Sequence, residues 1–145
     1  MATVVGASLS WWQVERGHAA VDHQVEARAA AEQVMVDLLT YDHTSVDTDL
    51  SEALTGVAGP FADDYRTLVD EVIVPVARER QISTTAHVVR SGIAGSDGDT
   101  VTVLLFMDQT TTSVDEPGTR RDSSRVEVSL RQVDGRWKVN QVQSV

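Results

Sequence analysis

The sequence predicts an α+β fold, in which a long N-terminal helix and shorter helices pack on one face of a curved four-stranded antiparallel sheet. Apolar residues recur at helical spacing between residues 21 and 39, and this stretch contains no glycine or proline. After residue 80 the pattern changes to the alternation typical of strands, interrupted by hairpin turn signals. Because the helices precede the strands, the order favours α+β over an alternating α/β fold.

Two helical stretches account for the first half of the chain. The first is VDHQVEARAAAEQVMVDLL, with an apolar face made of Ala27, Ala31, Val34, Met35 and Leu38. The second begins near Gly59 and Pro60, because proline suits the first turn of a helix. Its predicted apolar face consists of Phe61, Tyr65, Leu68, Val72 and Val76. Pro75 should kink or loosen its last turn.

Four strands are predicted after the helices. QISTTAHVVRSGI and TVTVLLFMDQTTT form a hairpin through the turn SDGD at residues 96–99. The polar segment VDEPGTRRDSS is predicted to be a loop. RVEVSLRQV and RWKVNQVQSV then form a second hairpin through Asp134 and Gly135. The 145 residues are enough for one domain with one core.

Charge and cysteine content exclude several classes of function. The chain has 22 acidic and 12 basic residues, which give a net charge of -10. A long phosphate backbone would be repelled, so nucleic acid is not an expected partner. Cysteine is absent, which excludes disulfides, thiolate metal sites and cysteine nucleophiles.

The N-terminal residues suggest a contact with a membrane. Residues 2–12 are uncharged and end in Trp11 and Trp12, and indole side chains favour the headgroup level of a bilayer. The run is too short to span a bilayer and lacks the basic start of a signal peptide. We interpret residues 1–12 as the end of a transmembrane anchor and residues 13–145 as one soluble domain. The alternative is an amphipathic arm that docks on its own domain.

The stretch YDHTSVDTDL, residues 41–50, sets one histidine among three aspartates. Such residues could hold zinc or iron, but adjacent ligands diverge on a helix end, and the spacing is not that of a calcium loop. Thr44 and Asp47 have the spacing of a capping box, and so do Asp49 and Glu52. We therefore predict a corner between helices, with a short helix SEALTGV beginning inside it, and no metal site.

A pocket between helices and sheet is the remaining candidate site. A catalytic histidine needs an orienting carboxylate, and Asp108 is the sheet aspartate that could serve His87. If both faced solvent, an enzymatic function would have no residues left, and we predict no catalytic residues and no cofactor. The alternative for the aromatic residues is plain core. The candidate pocket residues are Tyr41, Phe61, Tyr65, His87 and Phe106.

Four motifs follow one another in an order that resembles a known family: LTYDHTSVDTDL, TGVAGPFADDYRTL, VLLFMDQTTT and RVEVSLRQVDGRWKV. The chain is similar, from about residue 25 to its C-terminus, to the actinobacterial Mce-associated membrane proteins. The resemblance implies a soluble domain similar to nuclear transport factor 2 and the SnoaL-like proteins, behind a single membrane helix and on the extracytoplasmic side of the cell membrane. The family's upstream cytoplasmic part is missing here, so the chain is a trimmed form, has a misplaced start, or is a soluble variant.

The resemblance implies a non-enzymatic accessory subunit of an Mce-type lipid or sterol import system in the cell envelope, with Mce transporter subunits as partners. One alternative is a protein that binds a lipid or sterol in its pocket. Another is a SnoaL-like enzyme acting on a small polycyclic substrate. A homodimer through the sheet is also expected, because the strand TVTVLLFMD has apolar residues on both faces.

Overall fold

The computed structural model describes residues 6–145, with side chains from residue 20 onward. In this part of the chain the helices are α1 (Gly6–Leu38), α2 (Val46–Ala53), α3 (Gly59–Leu68) and α4 (Val74–Arg80). A 3₁₀ turn over Leu54–Gly56 follows α2, and a π-helical turn over Val69–Ile73 joins α3 to α4. The strands are β1 (Ser83–Asp97), β2 (Thr100–Thr112), β3 (Arg120–Val133) and β4 (Arg136–Ser144). They form one antiparallel sheet in sequence order, which confirms the predicted α+β fold.

The main core lies between α1 and the sheet. Successive side chains of a strand point to opposite faces, so every second residue of β2 faces the helices. Four of these residues are at most 2% exposed, and they are Val101, Val103, Leu105 and Met107. The predicted apolar face of α1 is confirmed, since all five of its residues are buried in the same cluster. A smaller cluster beneath α2 and α4 contains Val46, Leu50, Val69 and Ala77.

The second helical stretch departs from its predicted apolar face. Leu68 and Val72 are 44% and 48% exposed, whereas Val69 and Ala77 are buried. Val72 lies in a π-helical turn, in which the Val74 N–H bonds to the Val69 carbonyl five residues earlier, and this turn changes the spacing of the residues after Leu68. Proline lacks an N–H and its ring crowds the preceding turn, so the predicted loosening at Pro75 takes the form of a wider turn just before it.

The predicted hairpins are confirmed, and one strand is longer than expected. At the β3–β4 turn Asp134 and Gly135 have φ of 52° and 77°, the pair of positive angles that a type I′ turn requires. β3 begins at Arg120, so half of the segment predicted as a loop is strand. Tertiary pairing with β2 explains this, because residues 120–124 oppose residues 107–111 in register.

The segments between helices contact both edges of the sheet. Tyr41 exchanges two backbone hydrogen bonds of 2.9 Å with Thr84 at the start of β1. On the other edge the Ala58 N–H donates to the Val139 carbonyl at 2.8 Å. Further along β1, register shifts leave one extra residue after Val88 and one after Ile93. Such bulges disturb an exposed edge and discourage uncontrolled strand pairing.

Among the residues that the structure describes, none of the helices combines the length and apolar character needed to traverse a bilayer. The predicted interfacial residues Trp11 and Trp12 lie outside the residues whose side chains are described. The assignment of residues 1–12 to the end of an anchor therefore stays a prediction.

Candidate functional site

The aspartates of residues 41–50 organise a turn. The Asp42 carboxylate accepts hydrogen bonds from the Thr44 N–H at 2.9 Å and the Thr44 hydroxyl at 2.6 Å. These bonds hold the pKa of Asp42 below its usual value. The Asp49 carboxylate accepts from the Asp42 N–H at 3.1 Å and the Ser45 hydroxyl at 2.8 Å. This is the local bonding by which aspartate favours turns over helix interiors.

The predicted corner between helices is confirmed, but its predicted details are wrong. Helix α2 begins at Val46, five residues before the predicted start at Ser51. Neither predicted capping box forms, because Asp49 bonds backwards to the turn and Asp47 pairs with Arg78 at 2.7 Å. Within the described residues, no three His, Cys, Asp or Glu side chains are grouped so that they could hold a metal ion.

The three helical-side aromatic residues support the packing of α3. Phe61 and Tyr65 pack with ring centroids 5.8 Å apart. The Tyr65 hydroxyl donates to the Leu38 carbonyl at 2.8 Å, so it satisfies one of the unpaired carbonyls at the end of α1. Burial raises the pKa of Tyr65 to about 12, with a smaller contribution from the nearby Tyr41. Tyr65 therefore fastens α3 to α1.

His87 and Phe106 lie on the other side of the sheet, so the five predicted pocket residues do not meet in one pocket. Phe106 is 41% exposed between the buried Leu105 and Met107. Strand alternation is the physical reason, since the neighbours of an inward residue must point outward. The sequence carried the signal, because the inward positions from Val101 to Met107 are all apolar whereas the outward ones include Thr102 and Asp108.

We call the sheet surface away from the helices the open face. Across it the β2 side chains have neighbours in register on β1 and β3. Phe106 lies between Arg90 and Arg125. Leu104, the next outward residue of β2, is half-buried. Phe106 is therefore flanked by a guanidinium group on each side, whereas Leu104 lies opposite Glu127 on β3.

His87 and Asp108 are also on the open face. The His87 Nε2 atom is 3.9 Å from the Asp108 carboxylate, and the two side chains are 64% and 46% exposed. The Ser123 hydroxyl donates to the same carboxylate at 2.6 Å. The carboxylate thus stands between the hydroxyl and the imidazole, whereas a nucleophilic triad needs the imidazole in the middle.

The open face collects cations that have no carboxylate partner. Five arginines elsewhere lie within 4.0 Å of a carboxylate, and they are Arg28, Arg66, Arg78, Arg80 and Arg120. Strand register assigns six other cations to the open face: Arg90, Arg121, Arg125, Arg131, Arg136 and Lys138. Among the described side chains, none of these six has such a partner. No local sequence pattern reveals this set, because the six residues come together only when the strands are aligned.

A cleft of about 460 Å³ lies on the helical side, between the end of α1, α2 and the start of β1. Its lining includes four carboxylates, those of Asp37, Asp42, Asp49 and Glu52. Apolar ligands bind in pockets lined mainly by apolar and aromatic side chains. The cleft therefore does not match the lipid pocket that the sequence predicted.

Solved structures resemble this chain in fold. A periplasmic fragment of TraM superposes with a TM-score of 0.66 and 14% identity over 83% of this chain and 96% of that one. CagV from Helicobacter pylori, a VirB8 homologue of a type IV secretion system, gives 0.63 and 13%, covering 83% and 97%. A nuclear transport factor 2-like protein from Salmonella enterica gives 0.57 and 10%, covering 82% and 89%. The predicted nuclear transport factor 2-like fold is confirmed.

Sequence relatives are found in Mycobacterium tuberculosis, while no known family model matches the chain. Uncharacterized protein Rv1362c is 36% identical over 113 residues, or 78% of this chain, and the chain spans about half (51%) of that relative's length. Outer membrane protein Rv1973 is 34% identical over 146 residues, which cover 100% of this chain and 90% of the relative. On this identity over nearly both whole lengths, the chain belongs to the family of the mycobacterial outer membrane protein Rv1973.

Proposed function

We propose that this chain is a non-enzymatic accessory subunit of an Mce-type lipid or sterol import system, and that it acts by docking to other proteins of the cell envelope. The observation that carries the proposal is the open face, where Phe106 lies between Arg90 and Arg125 and no described carboxylate pairs with either arginine. Exposed apolar surface bordered by charge is typical of interaction sites on soluble domains.

An envelope location is supported from two directions. The relative that matches over nearly its whole length is named an outer membrane protein. Two of the structural neighbours are a periplasmic fragment and a component of a secretion system. The more specific assignment to an Mce system rests on the four ordered motifs between residues 39 and 139. The proposed topology, one membrane pass with the domain on the extracytoplasmic side, rests on the same resemblance and on Trp11 and Trp12.

A role without catalysis is supported by the position of the groups that would have to react. His87 and Asp108 are exposed to water on a flat surface, where no enclosing wall strengthens their interaction or excludes solvent. The buried apolar side chains of β2 pack against α1. The space between β2 and α1 is therefore filled by chemically inert residues. Docking to another protein, in contrast to catalysis, uses side chains that are exposed on the surface, as these are.

Co-purification from native membranes tests this function. The tagged full-length protein should bring down Mce permease or substrate-binding subunits, and Arg125→Glu should lower their recovery by reversing a charge on the open face. Arg66→Glu, which reverses a charge on α3, is the matched control and should retain them. Recovery of the wild-type protein alone, from membranes that contain those subunits, would contradict the proposal.

A further inference from the structure

A second exposed apolar surface lies on the helices, and it complements the open face. Leu68 and Val72 are 44% and 48% exposed and lie four residues apart, so they share one side of the helical stretch. Asp64 and Glu71 precede and follow Leu68 by four and three residues, which places their carboxylates on the same side. We call these four residues the helix patch.

The helix patch combines apolar and charged side chains, as the open face does, but its charges have the opposite sign. Among the described side chains, neither Asp64 nor Glu71 has a basic partner within 4.0 Å. We call Leu104, Phe106, Arg90 and Arg125 the sheet patch. Each patch therefore presents two apolar side chains together with two charged groups that have no oppositely charged side chain within 4.0 Å among the described residues, anionic on the helices and cationic on the sheet.

The distribution of charge along the chain reinforces this contrast. Residues 1–82, which contain the helices, have 14 acidic and 5 basic residues. Residues 83–145, which contain the sheet, have 8 acidic and 7 basic residues. The helical part thus carries a net charge of -9 and the sheet part only -1. Both parts are negative, so net charge alone attracts no pair of copies, and any attraction has to come from the local cations of the sheet patch and the local anions of the helix patch.

The two patches lie on opposite sides of the sheet. The helix patch belongs to the helical layer, which packs against the inner face of the sheet through residues that include Phe61 and Tyr65. The sheet patch is on the far side of that sheet. One molecule cannot bring its own two patches together, but two molecules can.

We propose that the sheet patch of one copy docks on the helix patch of a second copy. The inference rests on the proposed function: a second copy occupies the sheet patch within the assembly, and the terminal copy of a chain, whose sheet patch stays free, is the one that docks to other envelope proteins. The contact is head-to-tail: each copy uses one patch and leaves the other free, so the assembly closes into a ring or continues as a chain.

This arrangement differs from the homodimer through the sheet that the sequence suggests. In a two-fold dimer the same surface is used by both copies. Arg90 and Arg125 of one copy would then approach the same residues of the other. Like charges facing each other across an interface are unfavourable, and Glu127 is the one neighbouring anion on β3.

Sedimentation velocity of the purified full-length chain over a concentration series tests the inference. The mass average of the wild-type protein should rise with concentration, and added salt should weaken the association because charges steer it. Arg125→Glu and Glu71→Arg should each weaken it by about tenfold or more. Asp22→Arg, an exposed reversal on α1 away from both patches, should leave it unchanged. Circular dichroism confirms that each variant is folded.

Mixing the two variants gives the sharpest test. Arg125→Glu keeps a wild-type helix patch, and Glu71→Arg keeps a wild-type sheet patch, so an equimolar mixture should associate more strongly than either variant alone. A wild-type protein that stays monomeric throughout the series would overturn the inference. So would a dimer that Glu71→Arg does not weaken, since that indicates sheet-to-sheet pairing. If the chain is monomeric but Arg125→Glu still lowers recovery from membranes, the proposed function stands and only the second copy as occupant is wrong.

Discussion

The two faces of strand β2 show how one segment serves two purposes. Its inward residues, such as Leu105, are at most 2% exposed and pack against α1. Its outward residues include Phe106, which is 41% exposed although it is as large and apolar as a core residue. Folding stability accounts for the inward set through burial of apolar surface. It does not account for the partly exposed Phe106, to which the proposed function gives a role in binding.

The same contrast appears in the charges. On the helical side, Arg28, Arg66 and Arg78 pair with carboxylates at 3.6, 3.8 and 2.7 Å. On the open face, Arg125 and Arg131 reach only a backbone carbonyl at 3.3 Å and a threonine hydroxyl at 3.5 Å. Charged groups that are already paired within the molecule can contribute less to binding a partner than charged groups that are unpaired. The open face thus differs from the helical side in that its described cations have no side-chain carboxylate partner.

The largest effect should separate the two faces of β2. Leu105→Ala is expected to lower the free energy of unfolding by about 2–5 kcal/mol, because it removes buried methyl groups and leaves a cavity. Phe106→Ala should cost about 1 kcal/mol or less, because much of the ring is already in water. Urea unfolding followed by circular dichroism measures both. Equal losses would mean that the open face contributes to the core as much as the inner face does.

A smaller loss of stability is expected at Gly56, where the 3₁₀ turn after α2 lies close to Val34 of α1. A methyl group added at Gly56 would lie 2.6 Å from Val34 Cγ2, and the β-branched Val34 has little freedom to move. Gly56→Ala should therefore destabilise the protein by roughly 1–3 kcal/mol. The double variant Gly56→Ala with Val34→Ala should lose less stability than the sum of the losses of the two single variants. Full additivity in the same unfolding experiment would show that no overlap occurs.

Tyr65 should make the helical side sensitive to alkaline pH. Its pKa is raised from 10.0 to about 12 in the folded chain, so the folded state holds the phenolic proton more tightly than the unfolded state. The resulting stability is present below pH 10 and is lost as the pH rises to about 12, by at most about 1.4 kcal/mol per pH unit.

Urea midpoints measured on the wild-type protein at about pH 9 and about pH 11 should show this loss, and Tyr65→Phe should reduce it. Tyr41, whose pKa burial also raises, leaves a residual dependence in that variant. An unchanged alkaline slope in Tyr65→Phe would mean that Tyr65 is not the group responsible.

The smallest effect concerns a single ion pair of the helical side. The guanidinium of Arg78 beside Asp47 holds the pKa of that carboxyl below its ordinary value. Arg78→Gln should move the pKa of Asp47 upward, as followed by NMR titration of the carboxyl carbon. Arg125→Gln, on the open face, should leave it where it is. If the pKa of Asp47 does not change in Arg78→Gln, Arg78 does not stabilise the Asp47 carboxylate, and the contrast with the unpaired cations of the open face is wrong.

Much of the fold could be predicted because its signals are local. The alternation in β2 and the Asp134–Gly135 turn depend on neighbouring residues alone, and both are confirmed. The start of α2 was missed because its turn is held by bonds over longer separations. Asp49 reaches back seven residues to the Asp42 N–H, and the His43 N–H donates to Ser83 on β1. No local pattern contains such contacts.

The candidate site was predicted in part, for a related reason. Tyr41, Phe61 and Tyr65 lie on the helical side as expected. Phe106 does not lie with them, because it is on the open face of the sheet. The alternation of β2 already indicates this face. Val72 lies in the π-helical turn before Pro75, and regular helical spacing could not reveal that turn or the exposure of Val72.

The sequence by itself determined the α+β class, the order of helices and strands, the two hairpins and the apolar face of α1. These follow from residue periodicity and turn chemistry, which act over a few residues. Only the tertiary structure decided which cations share a surface, because Arg90 and Arg125 become neighbours of Phe106 through strand register. It also decided that an acidic apolar patch and a basic apolar patch lie on opposite sides, since the packing of helices against one face of the sheet fixes that geometry.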